Sequence, residues 1–176
     1  PGYRVSTAAY LVSLLQDKVV QDLQLHHYGY ELLPKDPPYF SPRLDGHHFF
    51  MWRDMARTRE ELARLSPRDA ERYPAYEAML DRVTEFVEPL LLQPPPGLPA
   101  DDSEALADWA AFMGRVQSLP RQHLAEVLRV FTASAADFLD DWFESDALKA
   151  ALATDGVIGA AAGPRTPGTA YVLLHH

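Results

Sequence analysis

The spacing of apolar positions changes period along the chain, and each change marks a different kind of element. In residues 6–25 the apolar side chains fall at Tyr10, Leu11, Leu14, Leu15, Val19, Val20 and Leu23. Steps of three and four keep them on one helical face, so this stretch predicts two short helices, broken near Gln16-Asp17. Residues 29–33 are then a candidate strand, closed by Pro34, Pro37 and Pro38. Residues 39–44 and 47–53 flank Asp45-Gly46. That dipeptide suits the positive φ angles of a type I′ turn, so the pair predicts a β-hairpin.

From Ala56 onward the period is helical. Thr58 and Glu61 have the spacing of a capping box for a helix ending near Leu65. Ser66 is expected to cap the next helix, with Pro67 at its first position and Asp69 in its first turn. Pro74 is expected to break or kink this stretch and to open a longer helix. The core stripe of that helix is Met79, Leu80, Val83, Phe86, Val87, Leu90 and Leu91. Residues 93–102 form a proline-rich connection. Beyond it Ser103 is expected to cap a helix carrying Leu106, Trp109, Phe112, Met113 and Val116. Pro120 opens another with Leu124, Val127, Leu128 and Phe131. Ser134 and Asp137 form a second capping box ahead of Phe138, Leu139, Trp142 and Phe143. Ser145 caps a last short helix through Leu148 and Leu152, ended by Gly156. The predicted fold class is α+β, predominantly helical, with a small antiparallel hairpin in residues 1–55 and a helical region in residues 56–176.

Composition narrows the functions open to such a chain. A net charge of -9, with no basic run longer than two residues, excludes a nucleic-acid surface, which needs clustered Lys and Arg. The absence of cysteine excludes a disulfide framework, a thiolate metal site and a cysteine nucleophile. The longest apolar runs, 157–162 and 171–174, fall far short of the roughly 20 residues that span a bilayer. The chain opens at Pro1-Gly2 and stops at His175-His176 within an apolar helical pattern, as a segment cut from a longer polypeptide would. A tag remnant is the other reading of the last two histidines.

Candidate chemistry is sparse. Gly156, Gly159 and Gly163 have the wrong spacing for a dinucleotide loop and follow a helix, not a strand. The pairs His26-His27 and His47-His48 are adjacent, so their rings diverge, and no His recurs at i+4 for a metal. Asp101-Asp102, Asp140-Asp141 and Glu60-Glu61 lie at helix starts or on solvent faces, where capping and the helix dipole explain them. The least ordinary segment is Gly163-Pro164-Arg165-Thr166-Pro167-Gly168-Thr169-Ala170-Tyr171. Its glycines and prolines fix a backbone path into an apolar helix that Thr166 or Thr169 can cap. The first N–H groups of that helix could receive an anionic or carbonyl ligand; a plain helix-entry turn is the alternative.

Three blocks carry a family resemblance. Gly2-Tyr3-Arg4-Val5-Ser6-Thr7-Ala8-Ala9-Tyr10 resembles the stretch that follows the FAD fingerprint in phytoene-desaturase-like flavoproteins. Leu65-Ser66-Pro67-Arg68-Asp69-Ala70, on through Tyr76 and Leu80, resembles a helix start of that family. Trp142-Phe143-Glu144-Ser145-Asp146-Ala147-Leu148-Lys149, residues 155–159 and residues 163–176 are most similar to the subgroup of pyridine nucleotide-disulphide oxidoreductase domain-containing proteins, bacterial and mitochondrial. The resemblance implies a fragment of an FAD-dependent oxidoreductase acting on an apolar, carotenoid- or isoprenoid-like small molecule. It places the FAD-binding βαβ unit before Pro1 and a further flavin-contacting segment after His176. Residues 1–55 would then be flavin-proximal, and residues 56–176 would be a cap over the substrate. Ser6, Thr7, Ala8 and Ala9 would pass beside the flavin, although the carotenoid desaturases have Gly-Pro where this chain has Ala8-Ala9. Arg165, Thr169, Tyr171 and His175 would face the substrate.

No residue matches an established catalytic acid or base, because in such enzymes the flavin carries the hydride chemistry. The implied partner is the rest of the parent flavoprotein. The implied location is cytoplasmic in a bacterium, peripheral to a membrane at most, and mitochondrial in a eukaryote. A non-enzymatic helical interaction module with an acidic surface is the competing reading of the same pattern.

Overall fold

The computed structural model describes Gly2, Val12 and residues 15–98, 102–159 and 161–175. The first of the two short helices expected at the start lies outside the described residues; the second is α1 (Asp17–Asp22). Gln24 and Gly29, both at positive φ, bracket a 3-10 turn at Leu25–Tyr28. The strand expected at 29–33 does not form. No further strand lies beside those residues among the described ones, and residues 31–35 are exposed. An extended segment with neither a ladder nor a buried face has nothing to offset the entropy of ordering it.

The hairpin does form. β1 (Tyr39–Pro42) pairs antiparallel with β2 (His48–Met51), with Tyr39 opposite Met51 and Pro42 opposite His48. Its turn differs from expectation. Arg43 N–H donates to His47 O at 2.9 Å and Gly46 N–H to Arg43 O at 3.1 Å, enclosing the three-residue loop Leu44-Asp45-Gly46. Gly46 alone in that loop has positive φ, 82°, so the loop is a turn followed by a left-handed glycine, and a type I′ pair is not formed. Asp45 fixes the loop by accepting from His47 N–H at 3.0 Å, the contact that does most to hold its carboxyl below the ordinary range.

α2 (Met55–Ala63) is capped by Asp54, whose side chain accepts from Ala56 N–H at 2.8 Å. Thr58 is therefore no cap. It sits buried inside the helix, where its hydroxyl accepts from Trp52 N–H at 2.8 Å and donates to Trp52 O at 2.9 Å, tying the end of the hairpin to α2. Asp54 wins because it stands where the chain leaves β2, and a short carboxylate there reaches the first free N–H groups.

α3 (Pro67–Val87) starts at Ser66 as expected, but Pro74 neither ends nor divides it; one helix of 21 residues runs through. Proline at 74 can make no bond to the carbonyl of Ala70. That carbonyl instead accepts from Arg59 Nε of α2 at 3.1 Å. The helix keeps going because a neighbouring side chain supplies the donor that the ring removes.

Past a 3-10 turn at Glu88–Leu90, α4 (Ser103–Ser118) is capped by Asp102, with Ser103 one place further in. Its expected stripe is not core: Ala105 is buried, whereas Leu106 and Met113 are exposed. Trp109 pins the proline-rich connection by donating to Gly97 O at 3.0 Å. α5 (Arg121–Thr132) buries Val127 and Val130. α6 (Ala135–Trp142) is capped by Ser134 and α7 (Asp146–Ala153) by Ser145, both as expected. A 3-10 turn at Asp155–Val157 follows, and Thr169–His175 is a 3-10 segment where an α-helix was expected.

One core joins these elements, running from Phe49 and Met51 through Leu62, Tyr73 and Met79 to Phe138, Phe143 and Leu173. At its centre the Tyr76 ring meets Phe143 at 5.0 Å and Trp142 at 5.7 Å, both edge-on. The fold is thus mostly helical with one small antiparallel sheet. Among the described residues no helix is long and apolar enough to cross a membrane.

Candidate functional site

Two of the three sequence blocks with family character meet in space, and they meet to hold each other. Ser66 spends its hydroxyl twice: it accepts from Asp69 N–H at 3.1 Å and donates to Glu144 Oε1 at 2.7 Å. Arg68 Nη1 reaches the other oxygen of Glu144 at 3.1 Å. Asp69 is fully buried, and its two carboxylate oxygens accept from Glu144 N–H at 3.0 Å and Ser145 N–H at 2.8 Å. These are backbone groups at the entrance to α7, where the helix dipole favours an anion. The Ser66 hydroxyl, and after it the Arg68 guanidinium, hold the Glu144 carboxyl below the ordinary carboxylate range. Among the described residues no buried side-chain polar atom of the cluster lacks a partner, so the Ser-Pro-Arg-Asp and Glu-Ser-Asp blocks form a structural clamp between α3 and the α6–α7 connection.

The segment 163–175 is equally engaged. Ala136 N–H donates to Pro164 O at 2.8 Å. Thr169 is buried, and its hydroxyl accepts from Ala135 N–H at 3.0 Å while donating to Thr166 O at 2.8 Å. Gly168 N–H donates to Ala133 O at 2.9 Å and Ala170 N–H to the same carbonyl at 3.2 Å. The N–H groups expected to be open to a ligand are taken by the end of α5, because α5, α6 and this segment converge and satisfy one another's termini. Of the glycine cluster, Gly156 is explained by packing. A Cβ there would stand 2.9 Å from Ala135 Cβ, so the residue is glycine to let the 3-10 turn approach α6.

Of the residues expected to face a substrate, Arg165 is exposed and its charge reaches Asp140. The Asp140 carboxyl is held below its ordinary value chiefly by its hydrogen bond from Lys149, at 2.7 Å. Tyr171 is 41% exposed and stacks flat on Phe131, 43% exposed, with ring centroids 6.0 Å apart and 9° between planes. Leu128, one turn back on α5, extends this open apolar face. The sequence marks Leu128 and Phe131 only as apolar positions of this helix and singles out neither as a surface residue. Ser6, Thr7, Ala8 and Ala9, and the side chain of His175, lie outside the described residues.

Burial pushes the Tyr73 and Tyr76 hydroxyls far above the ordinary range. Burial also raises Glu77, against a lowering hydrogen bond from Tyr73 and with a smaller push from Asp81. Arg82 grips Glu126 through two bonds, 2.9 and 3.1 Å, which lower that carboxyl. Among the described residues no three His, Asp or Glu side chains are placed to hold a metal ion. An open cleft of about 630 Å³ lies between the hairpin and α7, edged by Tyr39, Arg43, Leu44, Asp146 and Ala150.

Over its whole length the chain is similar to two rodent proteins. It is 34% identical over 189 aligned positions to pyridine nucleotide-disulfide oxidoreductase domain-containing protein 2 of Rattus norvegicus, which covers 100% of this chain and 32% of the relative. It is 35% identical, with the same coverage, to the protein of that name from Mus musculus. The chain therefore spans about a third of the length of the curated relatives it matches. No family model and no solved structure matches it.

Proposed function

We propose that these 176 residues are the substrate-side part of a longer flavin-dependent oxidoreductase, akin to the phytoene-desaturase-like enzymes and acting on an apolar, carotenoid- or isoprenoid-like molecule. The observation that carries the reading is the similarity from end to end to proteins whose name states an oxidoreductase domain and which are three times as long. The flavin, when bound, supplies the hydride acceptor.

Gly156 is filled by its packing on Ala135, and the N–H groups of Gly168 and Ala170 already have acceptors. FAD is accordingly assigned mainly to other parts of the polypeptide, with Ser6, Thr7, Ala8 and Ala9 passing beside it. The part of this chain is a wall. Leu128, Phe131 and Tyr171 would present the apolar surface, with Arg165 at its rim and Thr169 and His175 on the same segment. Such a wall orients an apolar substrate and excludes water from the reacting bond. The clamp through Asp69 sets where α6 and α7 stand behind it.

The test is a titration of the isolated 176-residue segment with FAD, followed by flavin fluorescence. The reading predicts no saturable binding. Tight retention of flavin by the segment alone would overturn the assignment of the cofactor to the remainder.

A further inference from the structure

The hairpin shows a mismatch between what its sequence is built for and what covers it. His48-Phe49-Phe50-Met51-Trp52 holds four large apolar residues in a row, without the alternation of a strand that has one wet face. Such a run suits a strand covered on both sides. Helices cover one: Phe49 and Met51 are buried. On the other, Phe40 is 51% exposed, Phe50 and Trp52 are half-buried against one another and Arg57, and the three rings form a ladder. Phe40 meets Phe50 at 4.9 Å, Phe50 meets Trp52 at 5.3 Å, and His48 leans on both phenylalanines. Arg57 closes one end, its Cζ 3.5 Å from the Trp52 ring centroid.

Three occupants could lie on this face. A lipid surface is disfavoured because a chain of charge -9, with no basic run longer than two residues, lacks the attraction to anionic headgroups that holds peripheral segments on a membrane. A second copy must bring two chains of charge -9 together, against their mutual repulsion. The relatives, by contrast, carry two thirds of their length outside the matched region. We propose that the outer face of the hairpin is a docking surface for an apolar segment of the same longer polypeptide, lying on the ladder of Phe40, Phe50 and Trp52. The inference rests on the reading that this chain is part of a longer protein.

The experiment uses the full-length polypeptide with Phe40→Cys, labelled with a maleimide and read by mass spectrometry of the hairpin peptide; the 176 residues contain no other cysteine. Labelling at least tenfold slower in the native protein than in urea is the expected result. Labelling within twofold of the urea rate overturns the proposal. So does protection that disappears on dilution, which marks a second copy, or protection that needs added phosphatidylglycerol vesicles, which marks a lipid surface. Hydroxyl-radical oxidation of Phe40 in the unaltered protein gives the same readout should the variant fail to fold. The visible spectrum of the same sample separates the two readings: a colourless protein with a protected Phe40 sinks the flavin assignment and leaves the docking surface standing. A yellow protein with an accessible Phe40 does the reverse.

Discussion

Replacing Asp69 with alanine removes a carboxylate that no water reaches and leaves Glu144 N–H and Ser145 N–H without their acceptor. A hydrogen bond to a charged group contributes about 1.5–3 kcal/mol, so two set a range of about 3–6 kcal/mol. The lower half applies here, because the Glu144 side chain stands half in solvent and water can enter beside it once the carboxylate is gone. The expected loss is therefore about 3–4 kcal/mol, or a melting temperature lower by roughly 6–16 °C for a chain of this size. Asp69→Asn keeps one acceptor and turns an NH2 group toward the second N–H, so it should fall between alanine and the unaltered chain. Urea and thermal unfolding followed by circular dichroism give the magnitude. Amide exchange gives the location, with Glu144 and Ser145 accelerated first. A loss under about 1 kcal/mol, or an unchanged exchange rate at those two amides, would refute the clamp.

Gly156→Ala should cost about 1–3 kcal/mol, since the new methyl meets Ala135 Cβ at 2.9 Å and Leu173 Cδ2 at 3.4 Å; a melting temperature equal to that of the unaltered chain would show that the turn can retreat. Glu77→Gln should stabilise the chain at pH 7. A carboxyl whose folded pKa is raised binds its proton more tightly in the native state, so stability falls as pH rises from the unfolded value through the folded one. The advantage of the amide must therefore vanish in acid, and unfolding curves at pH 3 and pH 7 that show the same difference would contradict this. Thr58→Val strips the backbone N–H and C=O of Trp52 of their partner and should cost about 1–3 kcal/mol with faster exchange at the Trp52 amide; an unchanged amide would sink the link between hairpin and α2.

What the sequence made legible was governed by neighbours three or four residues away. Ser66, Ser134 and Ser145 cap their helices because a side-chain oxygen at one position and an N–H three places on suffice to define the motif. The two strands of the hairpin follow from their apolar content and the Asp45-Gly46 turn. The errors share the opposite character. Pro74 is tolerated because Arg59, on another helix, supplies a donor to Ala70 O. Asp69 was legible as a first-turn acid, but its partners lie 75 and 76 residues along the chain. Thr58 has the spacing of a cap, yet Asp54 takes that role and leaves it to bind Trp52. Leu106, Met113, Leu128 and Phe131 have helical periodicity, and periodicity alone cannot tell a face that packs within this chain from one that awaits cover.

The course of the candidate segment was legible only in part, for the same reason. The glycine- and proline-rich segment 163–171 does fix a specific path, but its polar groups turn inward to close α5 and α6. Thr169 in particular is tied to Ala135 and Thr166. Arg165 and the stacked surface of Tyr171 on Phe131 stay exposed, and no feature of the sequence marks Phe131 as the partner of Tyr171.

The visible absorption spectrum of the purified full-length protein tests the central claim most directly. Flavin bands that persist through gel filtration, at about one cofactor per polypeptide, are the predicted result. A native, correctly folded full-length product with no flavin absorbance, and none after incubation with FAD, would contradict it.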